Sequence, residues 1–181
     1  MRNPWRRRRR AEPPARAVDH SGTDLVIRWI DAVTTGLADA PPGPPEAAPA
    51  RVCDGMFTAA TIAAVLIERV SDRTEYRVAN NRCLAASVEF MKVLGEDTLR
   101  RYRIQSDAQP VGLDEVNADA DELAIARHLA LLGEALQIAL CKVTTDPALS
   151  AEIRETANES GLLAADVLVE TCQTIQSDPT T

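Results

Sequence analysis

Apolar positions along the chain recur at spacings of three and four rather than two, which is the signature of amphipathic helices. Ser21–Gly22–Thr23–Asp24 offers a helix start, and Val26, Ile30, Val33 and Leu37 follow as one stripe, widened by Leu25 and Trp29. A first helix is therefore expected over 21–39. Residues 40–50 contain five prolines and read as a stiff linker. A second helix is expected from about Arg51 to Val70, with Met56, Ala60, Ala63, Ile67 and Val70 on one stripe and Phe57, Ile62, Val65 and Leu66 off it. A helix apolar on most sides is buried on most sides, so this one belongs at the centre of the core.

A third helix is expected over about Glu75 to Tyr102, its stripe made by Leu84, Val88, Met91 and Gly95, then Leu99 and Tyr102. Gly95 on that seam permits a close crossing or marks a kink. Ser106 to Gly112 reads as a loop, punctuated by Pro110 and Gly112. The fourth helix begins near Asp114, with Asp119, Asp121 and Glu122 in its early turns. Ile125, Leu129, Leu132, Leu136, Ala139 and Val143 form the clearest stripe in the chain, and Leu131 and Ile138 a weaker one opposite, which predicts packing on two faces. A fifth helix opens at Asp146–Pro147 and places Leu149, Ile153, Leu163, Val167 and Ile175 inward. Residues 177–181 are a frayed tail. Successive stripes of this kind predict an all-α antiparallel bundle of four to five helices, with helix one at 21–39 and the body of the bundle over 51–176.

Composition strengthens the helical assignment. Alanine and leucine carry the apolar load, and only six of 181 residues are aromatic. That length suffices to bury a core without staples. Scarce lysine and abundant arginine and alanine suggest a GC-rich bacterial genome. Charge is unevenly placed. Residues 1–16 hold seven arginines against Glu12, a net of +6, while the 13 basic and 26 acidic residues of 17–181 give a net of −13. The first 20 residues read as a disordered basic arm.

Cys53, Cys83, Cys141 and Cys172 form no CxxC pair and are expected to be thiols acting as small hydrophobes. No apolar stretch follows Arg6 to Arg10 as an export signal requires, and the longest apolar run, about Met56 to Ile67, is short for a bilayer. A soluble cytoplasmic protein with no transmembrane segment is expected.

Candidate chemistry is sparse. His128 lies at the edge of an apolar stripe, and Gly133 stands five residues on, where the histidine phosphotransfer pattern needs a glycine at four and a preceding lysine. A di-iron bundle needs Glu three residues before histidine, but Ile125 stands there. Asn117, Asp119 and Asp121 have calcium-loop spacing, but Glu122 occupies the glycine position and His128 the bidentate one. Glu152 and Glu155 resemble one acidic pair of a magnesium-dependent pyrophosphatase, yet Gln173 stands where the partner of Glu170 should be aspartate. No catalytic residue, metal ligand or cofactor site is assigned, and a helical enzyme with an acidic metal site is the minority expectation.

A non-enzymatic protein-interaction or self-associating module is the favoured one. Its expected face is Val26, Trp29, Ile30, Val33 and Leu37 of helix one, which the proline linker sets apart. The alternative is a nucleic-acid or anionic membrane-surface binder acting through Arg6, Arg7, Arg8, Arg9 and Arg10 beside Trp5.

Overall fold

The computed structural model describes residues 21–39, 43–71, 73–104, 116 and 120–178. These form α1 (Ser21–Ala38), α2 (Ala47–Arg69), α3 (Thr74–Leu94), α4 (Glu96–Tyr102), α5 (Glu122–Thr145), α6 (Ala151–Thr156) and α7 (Leu162–Ser177), with a π-helical turn at Ala157–Gly161 joining the last two. No strand occurs among the described residues, and the fold is an all-α bundle.

α2 is the centre of that bundle, in contact with α1, α3, α4, α5 and α7. Its alanines explain why. Ala59, Ala60 and Ala63 are buried and present almost no side-chain bulk, so neighbours approach closely. Gly55 takes this furthest, since a Cβ there would stand 2.9 Å from Cδ2 of Leu136 on α5. α3 runs antiparallel to α2, with the Cys53 thiol bonding the Ser87 carbonyl at one end and Asn80 bonding the Ala60 carbonyl near the other. α7 runs antiparallel to both α3 and α5, whereas α1 lies along α5 in the same direction, Thr23 beside Asp121 and Asp31 beside His128.

Several boundaries move from their expected places. α2 begins at Ala47, four residues before Arg51, because Pro49 sits in the first turn, where a missing N–H costs nothing. α5 begins at Glu122 rather than near Asp114, capped by Asp121, which accepts from the Ala124 N–H. Asp146 does not cap the last helix. Its carboxylate accepts from the Ala148 N–H in a turn, and Ser150 is the cap, accepting from the Ile153 N–H. The arm over 1–20, the Ser106–Gly112 loop and 179–181 lie outside the described residues.

Three faces differ as well. On α3 the expected stripe faces outward, with Leu84 and Met91 exposed and Val88 half-buried. Tyr76, Ala79, Cys83, Ala86 and Phe90 face the core instead. On α5, Leu131 and Ile138 meet water rather than a second neighbour. Past the π-helical turn, Leu163 rotates away from the core, Val167 packs at its edge, and Ala165, Leu168 and Cys172 rotate in. A wider turn advances the chain through less rotation per residue, so everything downstream lags.

Two helices, α2 and α5, are long and apolar enough to cross a membrane, with windows of mean hydropathy 1.5 and 1.4. The strict run from Met56 to Ile67 missed them because such a window tolerates polar residues. In α2, 67% of the window is buried inside the bundle, which is how a core helix passes the same test.

Candidate interaction surface

The expected docking face on α1 is already occupied. Val26, Trp29, Ile30, Val33 and Leu37 are all buried in the core. The physical reason is that α1 lies against α2 and α5, so its stripe packs on them rather than projecting from them. Polar contacts hold it there. The Asp121 N–H donates to Thr23 Oγ1 at 3.1 Å, and Nδ1 of His128 stands 2.6 Å from Oδ1 of Asp31. Ile104 seats on Gly36, where a Cβ would come within 2.7 Å of its Cγ2. His128 is therefore a half-buried histidine stapling α5 to α1.

A second staple closes one end of the bundle. Arg73 reaches Glu122 on α5 at 3.1 Å and Asp178, just past α7, at 2.7 Å. Tyr76 is fully buried beside this group, and burial, with the Glu122 carboxylate adding to it, pushes its phenol well above the ordinary range. These side chains are consumed in joining helices.

Among the described residues, no three His, Cys, Asp or Glu side chains converge as metal ligands would. Glu152 and Glu155 are exposed on α6. All four cysteines are free, with Cys53, Cys83 and Cys172 buried and Cys141 exposed. Burial pushes the three buried thiols up to about 12, with smaller contributions from Asp54 on Cys53 and from Cys83 on Cys172. Arg6, Arg7, Arg8, Arg9 and Arg10 lie outside the described residues.

Among the described residues, the two most exposed large apolar side chains lie on the outer face of α5. Leu131 is 53% exposed and Ile138 61%, seven residues apart and therefore on one line of the helix. Arg127, Glu134 and Cys141 are the exposed residues that continue that line at spacings of four and three. The apolar surface widens at Ile138. There the residues leading into α2 stand beside α5 and leave a groove of about 400 Å³ lined by Pro44, Pro45, Ala48, Ile138 and Ala139. Arg51, Lys142 and Asp146 stand on its rim. The sequence pattern had both anchors, as the weaker stripe of the fourth predicted helix. What it lacked was any sign that no neighbour would cover them.

Comparison of the chain with family models, with curated proteins and with solved structures finds no match.

Proposed function

We propose that this chain is a non-enzymatic helical interaction module that self-associates through the outer face of α5. Leu131 and Ile138 carry the proposal. They are large, apolar and exposed at heptad spacing on a 24-residue helix. A line of that period is what a second helix packs against. A two-fold axis across α5 brings Leu131 of one copy toward Ile138 of the other in an isologous contact. The groove beside Pro44 and Pro45 extends the apolar area.

Magnitudes set the strength. Burying the exposed half of four such side chains, two from each copy, contributes about 3–6 kcal/mol, against an association cost of roughly 4 kcal/mol or more. The dimer is therefore weak: a Kd on the order of 100 µM, roughly 5.5 kcal/mol net, requires about 4–6 kcal/mol more from the Pro44–Ala48 edge.

The test is solution mass by light scattering across protein concentration. A concentration-dependent dimer is expected, and Ile138→Glu is expected to leave a monomer with unchanged helicity. A wild-type chain that stays monomeric well above that Kd, or a dimer indifferent to Ile138→Glu, overturns the proposal.

The net charge of +6 on residues 1–16 favours a second activity, polyanion binding through Arg6–Arg10. Running the same measurement with a duplex oligonucleotide in low and high salt addresses it. Binding that falls steeply with salt and disappears when residues 1–16 are deleted is the expected signature.

A further inference from the structure

A second apolar surface lies away from the α5 face, between α2, α3 and α4. Its groove has a volume of about 400 Å³, within the range of small-molecule sites. Phe57 from α2 and Met91 from α3 line it while remaining 45% and 40% exposed, and Leu99 of α4 lines it with them. An aromatic ring beside a thioether makes a floor that adapts to apolar tails of varied shape.

The wall opposite is held in place by its ends. α4 buries none of its own residues. At its start Gly95 takes φ 76°, a conformation that frees the chain to turn back over the groove. At its finish the Ile104 N–H donates to Oδ2 of Asp54 at 3.0 Å, and Arg103 stands 3.6 Å from the same carboxylate. The groove is thus a standing feature, walled by a seven-residue helix about 10 Å long. That length accommodates a short acyl or aromatic tail and is short for the multi-turn helix that groove-binding peptides present.

Charge selects the ligand's head. Of the charged residues that line the groove, Arg100, Arg103 and Glu96 face solvent and Asp54 is held inward, which leaves an excess of one positive charge facing solvent there. Asp54 is spent on Ile104 and Arg103. Arg100 is held only by Glu96, 2.6 Å away, in a solvent-exposed pair four residues apart on the helix. Such pairs contribute little, so a ligand carboxylate can take the guanidinium at small cost. Arg100 also lines the groove, which places a cationic group at the mouth and apolar side chains on the floor.

We infer that the α2–α3–α4 groove binds a small amphipathic carboxylate, its tail on Phe57 and Met91 and its head on Arg100. The site is independent of self-association, which proceeds on a different face.

The experiment is calorimetric titration of the full-length chain with decanoate and, in parallel, with decyltrimethylammonium, both below their micelle-forming concentrations. One decanoate per chain is expected, with the cation binding at least about tenfold more weakly. Phe57→Asp is expected to weaken decanoate about tenfold or more, and Arg100→Gln to reduce the preference for the anion while retaining helicity. Because the Arg100 side chain is solvent-exposed, that variant keeps the test meaningful if Phe57→Asp perturbs α2. Equal affinity for the two amphiphiles overturns the inference. So does decanoate binding that survives both substitutions, or no saturable binding at all.

Discussion

Individual side chains in this bundle are governed mainly by what burial does to them. The three buried thiols are held neutral, and only Cys141 meets solvent. A thiol reagent at neutral pH is therefore expected to modify one cysteine quickly in the native chain and four in denaturant, which mass spectrometry counts directly. Asp54 is governed in the same way. Burial raises its carboxyl pKa above the ordinary range, outweighing the Ile104 N–H and Arg103, which lower it. A folded-state pKa above the unfolded one means the protonated form is favoured by folding. The stability this carries is complete below the ordinary carboxylate range and is lost as pH rises through the raised value. Asp54→Asn, which keeps an acceptor for Ile104, is expected to be neutral or stabilising at pH 7. Denaturant titrations of the two proteins should converge as pH falls, and a large loss at pH 7 would count against this account.

Element boundaries turn on single residues whose geometry a pattern does not display. Gly95 divides what reads as one helix from Glu75 to Tyr102 into α3 and α4. Its φ of 76° and ψ of 155° belong to a region almost reserved for glycine, and an added Cβ would meet nothing within 4 Å. The whole penalty of Gly95→Ala is therefore backbone strain, expected at about 1–3 kcal/mol in chemical denaturation. The expected close crossing at this glycine is absent, and the kink is what the residue supplies. Leu84, Val88 and Met91 made the obvious stripe of the third helix because they are large. Its buried face instead sets small residues, Ala79, Cys83 and Ala86, between the large Tyr76 and Phe90, and the small ones allow α2 and α7 to approach. The π-helical turn before α7 has a similar origin. Gly161 lies so close to Leu140 that a Cβ would stand 2.5 Å from its Cδ2. The contact accompanies a wider turn and moves Leu163 outward, and no spacing rule foretells it.

At the scale of the molecule, the bundle spends α1 internally and leaves two apolar surfaces unspent. Surface substitutions on them should leave stability within about 0.5 kcal/mol while changing association or ligand binding. Ile138→Glu and Phe57→Asp are expected to separate on that basis. The first abolishes the dimer in light scattering and spares decanoate binding, and the second does the reverse. A parallel loss of both properties in either variant would point to a global effect on folding.

Helical periodicity, alanine content and sparse glycine were enough to establish an all-α bundle with α2 at its centre and Ile125, Leu129, Leu132 and Leu136 inside. Those features depend on the local geometry of a helix, which each segment carries within itself. Which apolar stripe would find a neighbour was a different matter. Val26, Trp29, Ile30, Val33 and Leu37 look as free on paper as Leu131 and Ile138 do. Packing buried the first set against α2 and α5 and left the second in water, because the close approach of small residues such as Gly36 and Gly55 fixes which faces meet. The groove beneath α4 likewise arises only when Gly95 turns the chain and Asp54, fifty residues before Ile104, pins its far end.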